Sequence, residues 1–302
     1  MCAKPCKRRS PASGLTSFHT RSVDSVRAVV VLSKAARSQA TRCVRIQAMD
    51  NSLPPAERIY FDDLDGRRVA AVFHQGNGDT RSVIVMAHGF KGSKIGPSRY
   101  FVDLARNAAL RGISTFRFDQ PGSGDSDGSF EDSSFDAWVH ATEHFAKRFA
   151  ADGYGVGLLG QSMGGAATVS AAARLGSAVR GVALWSSDPL FGGADESEMV
   201  GEWMEEEGQR VGWDFWREAG AADPRAYERM AARAYMVFGT EDAFIPLEAV
   251  RRVELACKTG DQVRVLEGLG HGGWPVVIGS AIMQETLDFF LHVLADTPAS
   301  LR

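Results

Sequence analysis

A glycine-rich turn at residues 160–164, Gly-Gln-Ser-Met-Gly, constrains the fold of this chain more than any other feature. It follows a short apolar run at residues 156–159, which predicts a buried strand, and it precedes an alanine-rich stretch, which predicts a helix. A serine at a tight strand-to-helix turn, with glycines two residues away on each side, is typical of a nucleophile elbow. The flanking elements favour this interpretation over a chance serine, and we predict that Ser162 is an exposed nucleophile.

The rest of the chain alternates between predicted strands and helices. Continuous apolar strands separated by helices predict a mostly parallel sheet with helices on both faces. Two strand patterns near residues 58–61 and 68–74 flank Asp65 and Gly66, a pair that favours a two-residue hairpin. The sequence therefore predicts an α/β domain over residues 57–296 that begins with an antiparallel hairpin.

The alternation is interrupted once, at residues 188–230, after a predicted strand that ends near Ser187. This insertion shows no clear strand pattern, and insertions of this length are usually lids or binding loops. Its aromatic residues either line a substrate pocket or pack a small core of the insertion itself. Our candidate substrate-binding residues, in and near this short cap, are Trp185, Phe191, Trp203, Trp213 and Trp274.

The charge of the chain is unevenly distributed. Residues 1–48 carry ten Lys or Arg and one acidic residue, whereas the remaining residues carry a net charge of −12. The acidic remainder gives no reason to expect nucleic-acid binding. It contains one cysteine, Cys257, so it has neither a disulfide framework nor a cysteine-rich zinc motif. No apolar run in the sequence approaches the ~20 residues expected of a membrane span.

Residues 1–48 have the composition of an organelle transit peptide, since they are rich in Arg, Ser and Ala and almost free of acids. We predict import into the chloroplast, with the mitochondrion as the alternative because both organelles use similar compositions. A disordered basic tail that binds anions is the competing interpretation.

A serine nucleophile needs a base and a group that orients the base. Two histidines follow Ser162 in the chain: His271 in a glycine-rich loop, and His292 within an apolar helical pattern that favours packing. Two acids, Asp188 and Asp242, each follow a predicted strand. Residue types and spacing alone leave both acids open as the partner of the histidine.

Six motifs occur in order along the chain: His88-Gly89-Phe90, Arg117-Phe118-Asp119, the glycine-rich loop at 122–128, the elbow, Gly239-Thr240-Glu241-Asp242 and Gly270-His271-Gly272. Together they resemble the α/β-hydrolases, within the serine-aminopeptidase (S33, hydrolase-4) group, and are especially similar to cinnamoyl or feruloyl esterases and monoacylglycerol-lipase-like enzymes. The resemblance implies Ser162 as nucleophile, His271 as base and Asp242 as acid, with the N–H groups of Phe90 and Met163 as the oxyanion hole.

The resemblance implies hydrolysis of a small-molecule carboxylic ester through an acyl-enzyme, without a metal ion or organic cofactor. An aminopeptidase or amidase and a monoacylglycerol or lysolipid lipase remain alternatives on the same fold. Residues 188–223 hold eleven acids and two bases, which disfavours anionic substrates. A non-catalytic small-molecule receptor on this fold is the alternative from another functional class.

One motif competes with this interpretation. His140-Ala-Thr-Glu143-His144 matches the H-x-x-E-H pattern of an inverted zinc-protease site. A zinc site also requires a third ligand and an open coordination position, and neither is visible in the sequence. We therefore expect an ordinary, partly exposed helix face here and no metal site.

Overall fold

The computed structural model describes residues 56–78, 80–191, 201, 203–206 and 208–295, and the predicted transit peptide lies outside these residues. The described strands are β1 (Glu57–Leu64), β2 (Arg67–His74), β3 (Ser82–Ala87), β4 (Ser114–Phe118), β5 (Gly155–Gln161), β6 (Val179–Trp185), β7 (Trp203–Glu206), β8 (Gln209–Gly212), β9 (Arg233–Gly239) and β10 (Gln262–Leu266). The described α-helices are α1 (Tyr100–Leu110), α2 (Phe135–Ala151), α3 (Met163–Leu175), α4 (Trp213–Ala221), α5 (Ala226–Arg229), α6 (Leu247–Ala256) and α7 (Val276–Leu294).

Eight of these strands form one sheet in the order β1-β2-β4-β3-β5-β6-β9-β10. The strand β2 runs antiparallel to both of its neighbours, and the pairs from β4 to β10 are all parallel. Parallel neighbours need long crossover connections, and helices in these connections cover both faces of the sheet. This is the mostly parallel, helix-flanked sheet that the sequence predicts.

The first hairpin turns at Asp65 and Gly66, as predicted. Their φ angles are 53° and 83°, and the register places Leu64 opposite Arg67. Positive φ at both central residues is the requirement of a type I′ turn, which Asp-Gly satisfies well. The position of the Asp65 backbone is therefore fixed at the edge of the sheet.

The apolar core forms two layers, one on each face of the sheet. One layer packs α2, α3 and α6 against the strands through side chains such as Phe145 and Val169. The other layer packs α1 and α7 through side chains such as Phe101 and Phe290. Successive residues of a strand point to opposite faces, which is why Leu158 lies in the first layer and its neighbour on β5 lies in the second.

The insertion between β6 and β9 differs from the prediction, because it contains a two-stranded hairpin, β7–β8, that leads directly into α4. Each of these strands has only four residues, too few for an alternating pattern to stand out in the sequence. Val211 and Phe215 of the insertion join a third apolar cluster with α2 and the first turns of α3. The insertion therefore packs on the elements next to the elbow.

The last helix, α7, differs from the prediction in one respect, the environment of His292. Among the described residues it alone is long and apolar enough to cross a membrane, with a mean hydropathy of 1.3. Its apolar side chains, including Ile282 and Leu287, pack in the core beneath the sheet. His292 on the same helix is exposed, so the prediction that it packs in the interior is wrong.

Candidate active site

Ser162 lies between the last residue of β5 and the first residue of α3, at the predicted strand-to-helix turn. Its φ and ψ angles are 52° and −128°, a conformation that residues with a side chain rarely adopt. The backbone is held there by two hydrogen bonds, from the Ser162 N–H to the Trp185 carbonyl (2.9 Å) and from the Gly165 N–H to the Ser162 carbonyl (2.8 Å). Such strain costs about 1–3 kcal/mol and is concentrated at functional sites.

Close packing explains the glycines around the turn. A Cβ atom on Gly164 would lie 2.1 Å from the His88 carbonyl oxygen, and one on Gly160 would lie 2.4 Å from Gly165 Cα. Both distances are far below van der Waals contact, so a larger residue at either position would displace the turn. The Gly-x-Ser-x-Gly spacing therefore has a direct steric cause.

His271 lies in the loop between β10 and α7, and its Nε2 is 2.8 Å from Ser162 Oγ. Its Nδ1 is 2.8 Å from Oδ2 and 3.0 Å from Oδ1 of Asp242. An ionised carboxylate only accepts hydrogen bonds, so we assign the ring proton to Nδ1. This tautomer directs the Nε2 lone pair at the serine hydroxyl.

Asp242 follows β9, and its loop fixes the carboxylate. The side chain is fully buried, and Oδ1 also accepts the N–H groups of Phe244 (2.8 Å) and Ile245 (3.0 Å). Hydrogen bonds of this kind offset the cost of burying a carboxylate and hold it in one orientation. The neighbouring Glu241 is exposed.

Asp188, the other acid considered from the sequence, has different partners. Its Oδ1 accepts the Leu190 N–H at 2.8 Å, and its Oδ2 lies 3.3 Å from Arg252. Burial raises the pKa of Asp188 above its ordinary value. The structure places Asp188 at the first turn of the insertion and Asp242 beside His271.

The two predicted oxyanion donors belong to backbone segments that border the Ser162 side chain. Met163 is the first residue of α3, so its N–H is one of the donors that a helix leaves unpaired at its N-terminus. Phe90 lies just beyond β3, next to Gly89, where a Cβ atom would be 2.8 Å from Ser162 Cβ. A carbonyl oxygen bound at the serine would lie between these two segments.

Two side chains with no role assigned from the sequence hold the Phe90 segment in place. Gln161 Oε1 accepts the Gly89 N–H at 3.0 Å. Buried His88 accepts the Gln120 N–H on Nε2 at 2.9 Å, so its Nδ1 carries the proton and donates to the Gly89 carbonyl at 2.8 Å. Burial lowers the pKa of His88, which favours the neutral ring that this pattern requires.

Two of the five candidate substrate-binding residues are core residues instead. Trp185 is fully buried in the layer with α1 and α7, and its Nε1–H donates to Thr286 Oγ1 at 3.0 Å. Trp274 is also buried, stacks on Tyr100 and packs edge-on against Trp185. These two assignments are wrong, because both indole rings fill the interior beneath the sheet.

The other three candidates lie in the insertion or at its start. Trp203 is 37% exposed, and Arg210 lies over its ring at 4.3 Å from the centroid. Trp213 is buried at the first position of α4. Phe191 is half-buried and, like Phe90, packs against the third apolar cluster.

An aromatic cluster around Phe90, not found from the sequence, borders the candidate oxyanion site. The Phe90 ring centroid lies 4.9 Å from that of Phe130, 5.4 Å from Phe215 and 5.1 Å from Trp216. Trp216 Nε1 is buried and has no hydrogen-bond partner among the described residues. The members come from three distant parts of the chain, so spacing in the sequence gives no signal for the cluster.

Phe244 forms a second aromatic feature of the site. Its side chain is 73% exposed, and its ring centroid lies 4.9 Å from that of His271. An exposed aromatic ring beside the histidine offers an apolar contact at the entrance to the site.

One segment of the chain matches the model of a known protein family. The model of the family described as serine aminopeptidase, S33, matches residues 78–213. This segment includes Phe90, Ser162 and Met163 and ends before Asp242 and His271. No sequence match to a curated protein is found.

Solved structures resemble the chain over almost their full length. Est1E from Butyrivibrio proteoclasticus, with ferulic acid bound, has 20% sequence identity and a TM-score of 0.69 over 78% of this chain and 100% of that chain. A putative hydrolase from Agrobacterium vitis S4 has 19% identity and a TM-score of 0.63, covering 79% and 99%. A monoacylglycerol lipase from Paleococcus ferrophilus has 17% identity and a TM-score of 0.59, covering 75% and 98%. At these identities the similarity establishes a common fold.

Proposed function

This chain has the α/β-hydrolase fold, and we propose that it is a serine hydrolase that cleaves carboxylic esters through an acyl-enzyme intermediate. The observation that carries the proposal is the hydrogen-bonded path from Ser162 Oγ through His271 to the buried Asp242 carboxylate. The path starts at a strained elbow, where the Ser162 hydroxyl lies beside the N-terminus of α3 and within hydrogen-bond distance of His271.

The first half of the proposed reaction forms the acyl-enzyme. His271 Nε2 takes the Ser162 proton while Oγ attacks the ester carbonyl carbon, and the Phe90 and Met163 N–H groups stabilise the resulting oxyanion. Asp242 stabilises the imidazolium ion through Nδ1–H. His271 then returns the proton to the leaving alcohol as the ester bond breaks.

The second half of the reaction repeats this chemistry with water. His271 removes a proton from a water molecule, which attacks the acyl carbon, and the acid leaves as Ser162 regains its proton. Every step uses groups of the chain and water, so the proposed cycle is complete with these residues alone.

The aromatic cluster around Phe90 supports an apolar, preferably aromatic, acyl or alcohol group in the substrate. The rings lie next to the expected carbonyl position, where they would contact the substituent on the carbonyl carbon. The acidic composition of the insertion disfavours an anionic substrate. A monoacylglycerol satisfies both conditions through its alkyl chain, whereas an aminoacyl amide would use the acidic residues to bind its amine.

A hydrolysis panel combined with active-site labelling tests the proposal. We expect turnover of p-nitrophenyl and aryl esters and covalent labelling by a fluorophosphonate. Ser162→Ala removes both, whereas Ser170→Ala, a change to a serine within α3, retains both. A faster reaction with aminoacyl amides than with esters would indicate the peptidase alternative. Binding of small ligands without labelling or turnover would indicate a receptor.

We further propose that residues 1–48 direct the chain to the chloroplast, with the mitochondrion as the alternative. The support is compositional: ten basic residues and one acid in 48 positions. A fluorescent protein fused to residues 1–48 should accumulate in the chloroplast, and a cytosolic signal would refute the proposal.

A further inference from the structure

The H-x-x-E-H motif of α2 acquires a third candidate ligand in the folded chain. His140 and His144 lie four positions apart in the sequence, so their rings share one face of the helix, with centroids 6.2 Å apart. Asp65, 75 positions away in the β1–β2 turn, places Oδ2 at 2.6 Å from His140 Nε2. One nitrogen of each histidine and one oxygen of Asp65 all lie within 4.8 Å of one another.

We propose that Asp65, His140 and His144 form a binding site for a divalent transition-metal ion of the Zn²⁺ type, with water completing the coordination. Imidazole and carboxylate are the ligands that zinc accepts, and three protein ligands with an open position are a common arrangement. In a tetrahedral zinc site the ligand atoms are roughly 3.3 Å apart. Small side-chain rotations would open the His140–Asp65 pair from 2.6 Å and close the wider pairs, which are at most 4.8 Å apart.

The environment of the three side chains permits these rotations. The side chains of His140 and Asp65 are 52% and 69% exposed, and a groove of about 410 Å³ lies beside them. The groove leaves room for water ligands. Its lining residues are His140, Glu143, His144, Lys147, Arg148 and Ala151.

The positive charges that line this groove are already paired. Lys147 lies 2.5 Å from the Glu143 carboxylate, and Arg148 is bonded to Asp62. Each cation is therefore neutralised by a neighbour, which reduces its repulsion of a metal ion. Because Glu143 is engaged by Lys147 and also lies 3.8 Å from Arg174, it is unsuited to act as the base of a zinc protease.

The proposed site is structural rather than catalytic. It joins the β1–β2 turn to α2. The strand β2 is three positions away from β5 in the sheet, so the two strands are roughly 14 Å apart. A bound ion would replace the His140–Asp65 hydrogen bond with coordination bonds and hold the hairpin on the helix. Ester hydrolysis at Ser162 should therefore be insensitive to chelators.

Isothermal titration calorimetry with ZnCl₂ at pH 7.5 tests the site. The protein is the full chain with its four cysteines alkylated. We expect one ion per chain with a Kd on the order of 10 μM or below, and a rise in Tm of about 5 °C at a zinc concentration ~100 times Kd. His140→Ala, His144→Ala and Asp65→Asn should each weaken binding by about 10-fold or more.

These variants distinguish the proposed three-residue site from an ion bound by the H-x-x-E-H motif alone and from a loss of binding caused by misfolding. Asp65→Asn retains the turn because Asn-Gly also adopts type I′, so a loss of affinity there reports the missing carboxylate ligand. The exposed His292→Ala variant should bind zinc as the unmodified chain does, and Glu143→Gln, which releases the exposed Lys147 charge, should weaken binding by less than about 3-fold. A Kd above about 1 mM for the unmodified chain, or unchanged affinity in Asp65→Asn, would overturn the proposal. A complete loss of binding in Glu143→Gln would show that the motif residues alone hold the ion, and this result would also overturn the proposal.

Discussion

The Gly89 amide donates a hydrogen bond to Gln161 Oε1 at 3.0 Å, which ties the segment before Phe90 to the residue immediately before Ser162. The two sides of the candidate oxyanion site are thereby connected by a side chain on β5. Such preorganisation matters because hydrogen-bond donors aimed at a developing charge must be in place before the reaction begins.

Gln161→Met should therefore lower kcat for ester hydrolysis by about 10-fold with little change in KM or Tm. Methionine has a similar size but lacks the strong acceptor, so the Phe90 segment loses its tether while the packing is retained. Steady-state kinetics on a p-nitrophenyl ester provide the measurement, with the exposed Gln284→Met as the control. An unchanged kcat would show that the tether has no role in the reaction.

The choice between Asp242 and Asp188 leads to a second prediction. Asp242→Asn should reduce kcat by about 10⁴, since an amide at this position favours the wrong His271 tautomer and fails to stabilise the imidazolium ion. Asp188→Asn should cost far less, because Asp188 contacts Leu190 and Arg252 instead. The reverse ranking of the two variants would reject Asp242 while leaving Ser162 and His271 in their roles.

Ser162 and His271 should behave as one unit. Ser162→Ala and His271→Ala are each expected to reduce kcat by about 10⁴- to 10⁶-fold, and the double variant should be hardly worse than either single one. The measurement is kcat for the three variants, with circular dichroism to verify folding. Losses that multiply in the double variant would mean that the two residues act independently.

The aromatic cluster predicts substrate selectivity. Trp216→Ala should lower kcat/KM for an aryl ester by about 10- to 100-fold relative to an acetyl ester, because it removes an apolar wall beside the carbonyl position. Trp203→Ala should leave this ratio unchanged, since its ring packs against Arg210 on the β7–β8 hairpin. If Trp203→Ala changed the ratio and Trp216→Ala did not, the substrate would lie along the hairpin.

Buried His74 predicts a dependence of stability on pH. Burial, together with the charge of Arg117, lowers the pKa of His74 to about 4, whereas an unfolded histidine has a pKa of about 6.5. Between these values the unfolded chain binds a proton that the folded chain does not. The free energy of unfolding should therefore fall as the pH drops from ~6.5 to ~4, by up to about 1.4 kcal/mol per pH unit from this group.

His74→Gln tests this origin, since glutamine retains an acceptor for the Arg117 Nε–H that His74 Nε2 now accepts at 3.0 Å. Urea unfolding at pH 7, 6 and 5 should give a smaller loss of stability for this variant than for the unmodified chain. The exposed His292→Gln provides the matched control. Equal slopes for His74→Gln and the unmodified chain would exclude His74 as the source.

Elements whose signals are local could be predicted from the sequence. The Asp65–Gly66 hairpin, the helix α2 and the strand-to-helix turn at Ser162 follow from backbone preferences and periodicity within about twenty residues. The alternation of predicted strands and helices along the chain also indicated a sheet covered by helices on both faces. The hairpin β7–β8 was missed because strands of four residues carry too little periodicity to be recognised.

Features that depend on contact between distant segments became visible only in the folded chain. Composition could not show that Trp185 and Trp274 fill the core while Phe90, Phe130 and Trp216 come together beside the serine, since an aromatic side chain suits either environment. Likewise, Asp188 and Asp242 both follow strands, and only the folding of the β10–α7 loop brings His271 to one of them. Asp65 meets His140 for the same reason: their proximity is a property of the packed chain, and residues far apart in sequence carry no local signal of it.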